Sequence, residues 1–326
     1  MNLPYTMRLL CLCGASFFLI HMALSTAARL SAGTAVRVAE HMKPRSAARF
    51  LFVLRLAPLA LTLIAVLAFC IPSYLWLEPE ATGEKVGLLC VVMAVLGVAL
   101  WIPALKRVMG AVRGTNRYLT HCERHARRIN VPGEDSPALL LADKAPVLAV
   151  AGVFRPRLLI SRRVMRELSP EQREAALRHE HAHRTSGDNL KRLLILLSPD
   201  AVPFVATFNG LERAWSKFTE WAADDEATAG DSERALTLAS ALVRVAKMGS
   251  RPRANVLSCS LVGGTRELSQ RVDRLLRPQP KPEKPVKEVV RLLGGAAGVV
   301  VSAVAIATLW PSSLSIVHQA LEHLVR

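Results

Sequence analysis

Long apolar runs separate the chain into membrane and non-membrane parts. Three runs fall in the first third of the sequence and one near its end, at residues 9–28, 56–77, 86–105 and 292–310. Each run is close to the roughly 20 residues that an α-helix needs to cross the hydrocarbon core of a bilayer. The pattern predicts a membrane α-helical bundle of about four spans.

The spans set the predicted domain boundaries. We expect a membrane region with three spans at residues 1–105 and an inserted α+β domain at residues 106–291. The fourth span follows at residues 292–310, and a short tail at residues 311–326. Residues 146–160 alternate short apolar runs around Gly152 and Pro156, which predicts a β-hairpin. Helical periodicity predicts a basic helix over residues 106–130 and an amphipathic helix over residues 230–250.

Residues 193–208 allow two interpretations. The segment is apolar but contains Pro199, Asp200 and Pro203, so it is too short and too broken to span cleanly. A re-entrant segment at the membrane and a buried core loop are both open.

The first apolar run also allows a second interpretation. Residues 25–28 would suit the processing site of a cleavable signal peptide. However, residues 29–49 carry five Lys or Arg side chains against one Glu, and such basic segments stay in the cytoplasm. We therefore expect an uncleaved first span.

Charge on the connecting segments predicts the orientation in the membrane. Residues 78–85 form a short acidic loop, whereas residues 106–291 hold 33 Lys and Arg against 21 Asp and Glu. Because Lys and Arg concentrate on the cytoplasmic side, we expect the N-terminus outside, the large domain in the cytoplasm and the tail outside.

The formal net charge of +16 allows binding to nucleic acid or to anionic lipid. No helix-turn-helix or zinc-finger spacing is present, and the basic residues are scattered among apolar ones. These features favour a lipid surface and indicate no direct nucleic-acid binding. The six cysteines include no C-x-x-C pair, so a disulfide framework or structural zinc finger is not expected.

One short stretch of the domain carries metal chemistry. Residues 179–183 read His-Glu-His-Ala-His, an H-E-x-x-H pattern. On a helix, His179 and His183 lie one turn apart on one face and can bind a single metal ion. Glu180 lies beside them, where a carboxylate can take a proton from a water at the metal. His181 projects elsewhere and is not an expected ligand.

The flanking residues predict the helix that this pattern requires. Ser169 and Gln172 form a capping box, Pro170 suits the first helical position, and Gly187 suits the C-terminal end. A solvated helix that carries three histidines by chance is the alternative interpretation.

A catalytic zinc ion usually has a third protein ligand. Ser186 and Asn189 stand where metzincins have Gly and His, so that subclass is excluded. Glu220 lies on a later segment with an apolar stripe at helical spacing, and Asp224 follows one turn on, where it can orient a ligating histidine. The alternative is that Glu220 is one of several acids on an exposed face.

A second histidine pair does not form a convincing site. His121 and His125 are also four residues apart, but no base adjoins the first histidine and no third ligand is evident. We expect a solvated helix face.

Six segments together resemble the BlaR/MecR-type membrane metallopeptidases, the β-lactam sensor-transducers and their sensorless relatives. They are residues 152–160, 168–172, 179–183, 188–190, 220–227 and 268–276, the last resembling the family's Arg-Val/Ile-x-x-Leu-Leu helix. The resemblance covers roughly residues 140–280. The HtpX-type membrane proteases share most of these motifs.

The resemblance implies an enzyme in the bacterial cell membrane. Its expected fold is zincin-like (gluzincin), with Zn²⁺ held by His179, His183 and Glu220 and with Glu180 as the catalytic base. Asp188 matches the family pattern, although capping the next helix would also account for it. The hairpin strand before the catalytic helix would form a sheet edge that pairs with an extended substrate; a purely structural hairpin packed on that helix is the alternative, and both can hold.

The resemblance also implies a signalling role and its partners. The enzyme would cut itself or a transcriptional repressor; the other expected partners are the lipid bilayer and a second copy of the chain. Residues 311–326 are too few for a penicillin-binding sensor domain, so β-lactam sensing is not expected. Two alternatives stay open: an HtpX-like quality-control protease and a non-catalytic zinc-binding scaffold.

Overall fold

The computed structural model describes residues 4–77, 86–131, 137–142, 147–200, 208–249, 257–260, 265–277 and 319. The predicted acidic loop, the fourth span, the tail and the proline-rich linker near residues 278–287 lie outside the described residues. The described part is mostly helical and also contains one small mixed sheet.

Among the residues that the structure describes, three long helical segments are apolar enough to cross a membrane. They are α1 (Tyr5–Glu40), the segment Pro44–Leu77 and α4 (Leu88–His125). The middle segment consists of α2 (Pro44–Ala65), a π-helical stretch (Val66–Cys70) and α3 (Ile71–Leu77). These helices coincide with the first three predicted spans and are consistent with membrane association.

The sequence predicts that the basic segment at residues 29–49 is a loop between two spans, but most of it is helical. Helix α1 continues to Glu40, and α2 begins at Pro44 after a short turn. The helix continues because Ala35 and Ala39 are buried in an apolar cluster with Ala47 and Leu51 of α2. The basic residues of this segment therefore lie on helices that extend beyond the apolar runs.

Close packing joins α1 to α4. A Cβ atom added at Gly97 would overlap the carbonyl oxygen of Gly14, and one added at Gly14 would lie 3.1 Å from Ala94 Cα. Glycine at these two positions therefore allows the backbones to approach.

The sheet has the order β1-β2-β4-β3-β5. Its strands are β1 (Arg127–Ile129), β2 (Ala138–Leu141), β3 (Leu148–Ala151), β4 (Arg157–Ser161) and β5 (Ser258–Ser260). Strands β2 and β4 are parallel, and the other neighbours are antiparallel.

Strands β3 and β4 confirm the predicted hairpin. The expectation that this hairpin forms a sheet edge is wrong, because β5 pairs with β3 on its other side.

In the described part of the chain, six further helices follow β4. They are α5 (Arg162–Glu167), α6 (Pro170–Ser186), α7 (Asp188–Leu197), α8 (Asn209–Thr228), α9 (Ser232–Lys247) and α10 (Thr265–Leu276). Helix α9 confirms the predicted amphipathic helix: Leu238, Leu242 and Val245 are buried in a core that also includes Val150 and Ile160 of the sheet. The described residues thus combine a membrane helical region with an α+β domain.

The broken apolar segment at residues 193–208 is helical in its first part, where it completes α7. Beyond α7, a polar network from the membrane helices holds the chain. Arg55 of α2 donates hydrogen bonds to Ser198 Oγ at 2.8 Å and to Asp200 Oδ1 at 3.1 Å, and Arg107 of α4 pairs with the other Asp200 oxygen. Ser198 and Asp200 are buried, which favours the core interpretation for these residues.

Candidate metal centre

Helix α6 positions the H-E-x-x-H residues as its sequence predicts. The capping box forms in both directions, because Ser169 Oγ accepts from the Gln172 N–H and Gln172 Oε1 accepts from the Ser169 N–H. Gly187 ends the helix with a φ of 66°, in the left-handed region that favours glycine. His179 and Glu180 are 0% exposed and His183 is 2% exposed, so a solvated helix face is excluded.

Helix α8 brings Glu220 to the two histidines. Its predicted apolar stripe is buried at Leu211, Trp215 and Phe218, in a cluster with residues of α1 and α2. The same helix also contacts α6. The Nε2 atoms of His179 and His183 lie 3.1 Å apart, and each is 3.6 Å from a Glu220 carboxylate oxygen. One ligand atom from each of the three residues lies within 4.8 Å of the others. This group can hold a metal ion.

Two buried carboxylates fix the histidine rings. Asp224 Oδ1 lies 2.9 Å from His179 Nδ1, and Asp188 Oδ2 lies 2.8 Å from His183 Nδ1. A ring that donates its Nδ1–H to a carboxylate presents an unprotonated Nε2 to a metal. Asp188 does not act as a side-chain cap of α7, because Gly187 takes that position without a side-chain bond. Asp188 therefore orients the ring of His183 in the same way that Asp224 orients the ring of His179.

Arg271 of α10 is a site residue that sequence reasoning missed. It is 2% exposed and donates to both Asp224 oxygens, at 2.9 and 2.6 Å. Its Nη1 lies 2.9 Å from Glu220 Oε2, and its Nη2 lies 3.2 Å from His179 Nε2. A signal was present in the sequence: Arg271 falls among Leu268, Val272 and Leu275, the apolar positions with which α10 packs on the core.

These charges shift the pKa values of the two α8 carboxyl groups. Burial alone would raise the pKa of Asp224, but the Arg271 guanidinium and His179 hold it at about 2. Burial also opposes ionisation of Glu220, but His183 and Arg271 hold its pKa well below its usual range. Both carboxylates are therefore ionised at neutral pH.

Glu180 lies close to the three ligands and against the sheet. Its Oε2 accepts a hydrogen bond from the Val150 N–H at 3.0 Å. Its Oε1 is buried and has no hydrogen-bond partner among the described residues. Burial raises the pKa of this carboxyl group to about 7, against the lowering effect of His179 and His183. A group with this pKa can accept and release a proton near neutrality.

The three other histidines considered in the sequence do not join the cluster. His181 is exposed on α6, and His121 and His125 are exposed on α4. Within the described ranges, the only group of three or more potential ligands is the one formed by His179, His183 and Glu220.

The donor set fits a metal of the zinc type. Two imidazoles and one carboxylate are the ligands of one class of catalytic zinc site, which keeps a fourth position open. The unpartnered Glu180 Oε1 lies beside this set, where a water at the open position would give it a partner.

Asp224→Asn should weaken metal binding about 10- to 100-fold, the usual cost of losing a carboxylate that orients a ligating histidine. The dissociation constant can be measured by competition with a chromophoric chelator. Asp225→Asn is the matched control, because Asp225 pairs with Arg274 and points away from the histidines. Equal affinities for the two variants would contradict the role given to Asp224.

Comparison with known proteins gives no family. No protein-family model matches the chain, and no curated protein matches it.

Proposed function

We propose that the chain is an integral-membrane zinc metalloendopeptidase with a zincin-like domain of the glutamate-ligand type. One observation carries the proposal: the buried His179 and His183 and the partly buried Glu220 form a group that can hold a metal, and the buried Glu180 carboxyl adjoins it. A structural zinc site needs no such base, so Glu180 favours catalysis over a scaffold.

Each residue has a defined part in the mechanism. His179, His183 and Glu220 would hold the zinc ion, which would supply Lewis acidity to lower the pKa of a water by several units and to polarise a peptide carbonyl. Glu180 accepts the proton of the attacking water on Oε1 and passes it to the leaving amine. The Val150 N–H holds Oε2, which keeps the carboxylate in place during this transfer. Asp224 and Asp188 hold the histidine rings.

Strand β3 joins the sheet to the residues proposed for catalysis. Its Val150 N–H donates to Glu180 Oε2, and Asn189 of α7 donates to the carbonyl oxygens of Val150 and Gly152 at 3.1 and 2.9 Å. These bonds fix the strand to α6 and α7. Strand β5 pairs with β3 from Ala149 to Ala151, so the chain itself occupies the edge that a substrate backbone would need.

The proposed setting is regulated signalling at the cytoplasmic face of a bacterial membrane. The basic residues of segment 29–49 and of the large domain support this orientation. The proposed substrate is the chain itself or a transcriptional repressor.

Chelation tests the proposal. Full-length protein in detergent is incubated alone and with cytosolic extract, before and after treatment with 1,10-phenanthroline, and fragments are identified by mass spectrometry. We expect defined fragments that disappear on chelation and return with about one equivalent of zinc. Cleavage of a single repressor supports signalling, whereas broad cleavage of unfolded membrane proteins supports the HtpX-like alternative. Fragments that persist unchanged under chelation would contradict the proposal.

A further inference from the structure

A cavity of about 190 Å³ lies next to Asp188, the carboxylate that bonds to His183. Its walls come from the start of α2, the end of α6, the start of α7 and the middle of α8. Asp188 separates it from His183, because this side chain lines the cavity and also bonds to the histidine. The cavity is therefore distinct from the position that the three metal ligands share.

Cations dominate the walls of this cavity. Arg45, Arg49 and Lys191 line it, and Asp188 is its one acidic wall residue. Both Asp188 oxygens are already engaged, Oδ2 with His183 and Oδ1 with Lys191 at 2.8 Å. Arg45 has a single long contact, 3.6 Å, with Glu226, and Arg49 has no ion pair or hydrogen bond within the part of the chain that the structure describes. Lys191 is thus paired with Asp188, whereas Arg45 has only a long ion pair and Arg49 has none among the described residues.

A buried hydroxyl on the cavity wall also lacks a partner. Thr219 is 6% exposed, and its Oγ1 has no hydrogen-bond partner among the described residues. Buried polar groups in folded proteins nearly always have a partner. An oxygen of a bound ligand would provide an acceptor for this hydroxyl.

The start of α2 adds to the positive potential. The helix begins at Pro44 with no acidic residue in its first turn and no side-chain cap. Its first N–H groups and its dipole therefore favour an anion there. Arg45 and Arg49 lie on the first two turns, one above the other at i and i+4 spacing.

We propose that this cavity binds a phosphate-class anion through Arg45, Arg49 and Lys191, with Thr219 donating a hydrogen bond to it. The segment Pro44–Leu77 is a candidate membrane span that begins at the cavity, so a lipid headgroup phosphate is one source and soluble phosphate is the other. The proposal is independent of the peptidase function, because it concerns binding alone.

The test uses the full-length protein in a neutral detergent and native mass spectrometry. The probes are dioctanoyl phosphatidylglycerol, dioctanoyl phosphatidylcholine and inorganic phosphate. We expect saturable binding of one phosphatidylglycerol or of one phosphate, and no comparable binding of phosphatidylcholine. If inorganic phosphate does not displace bound phosphatidylglycerol, the ligand of the cavity is a lipid headgroup. If inorganic phosphate binds on its own and displaces the lipid, the ligand is the soluble anion.

Two variants and a control separate a site from general surface charge. Arg49→Gln should weaken binding about fivefold, the typical effect of one cation near anionic lipid, and Thr219→Val should weaken it without changing the net charge. Arg37→Gln is the control, because Arg37 is an exposed cation of the same basic segment and lies outside the cavity. No saturable binding, or equal losses for Arg37→Gln and Arg49→Gln, would overturn the proposal.

Discussion

Replacing Glu180 by Gln should lower the rate of peptide cleavage about 10²- to 10⁴-fold, the range that a positioned general base contributes. The amide has the size of the carboxylate, and its oxygen can still accept the hydrogen bond from the Val150 N–H. It cannot take up a proton, so the step assigned to Oε1 is lost. Metal binding should persist, because Glu180 is not among the three grouped ligands.

The measurement is the cleavage rate of the variant relative to wild type at matched zinc content. Glu174→Gln is the control on the same helix: Glu174 is exposed and pairs with Arg178, so this change should leave the rate unaltered. An active Glu180→Gln variant with full metal content would remove Glu180 from the mechanism.

Replacing Arg271 by Met should have the largest effect on stability. The guanidinium is buried against the carboxylates of Asp224 and Glu220. Its removal leaves two buried negative charges without their counter-ion, and breaking such a buried pair typically costs about 3–5 kcal/mol. The apoprotein should unfold at a clearly lower temperature than wild type. Zinc should raise the melting temperature of the variant more than that of wild type, because the ion neutralises Glu220.

Thermal unfolding in detergent, with and without zinc, measures both effects. Arg274→Met is the matched control on the next turn of α10: it pairs with the partly exposed Asp225, and an exposed pair contributes about 1 kcal/mol or less. An Arg271→Met variant as stable as Arg274→Met would show that the buried ion pairs do not stabilise the domain.

Local sequence signals were sufficient to predict the helix and the strands at the centre of the site. The capping box at Ser169 and Gln172 determines where α6 begins, and four-residue spacing determines that His179 and His183 share a face. The short apolar runs around Gly152 predict the β3–β4 hairpin. Each of these signals acts over a few residues, where steric and hydrogen-bonding preferences of the backbone decide the structure.

Contacts between distant segments could not be predicted in this way. Arg271 lies 92 residues from His179, and Arg55 lies 145 residues from Asp200. Such pairs depend on how the helices pack against one another. The position of Arg271 in the apolar stripe of α10 indicates that it is buried, but not which carboxylates it contacts. The same limit applies to β5, which pairs with β3 across a long stretch of sequence. The resemblance implied that the hairpin forms an open sheet edge, but β5 covers that edge.

Metal analysis of the purified protein tests the central claim most directly. Elemental analysis and zinc X-ray absorption would be recorded for wild type, Glu180→Gln and His183→Ala. We predict about one zinc per chain, bound by nitrogen and oxygen ligands, in wild type and in Glu180→Gln, and a large loss of zinc in His183→Ala. Wild-type protein without zinc, or a His183→Ala variant with undiminished zinc, would contradict the assignment of His179, His183 and Glu220 as the metal ligands.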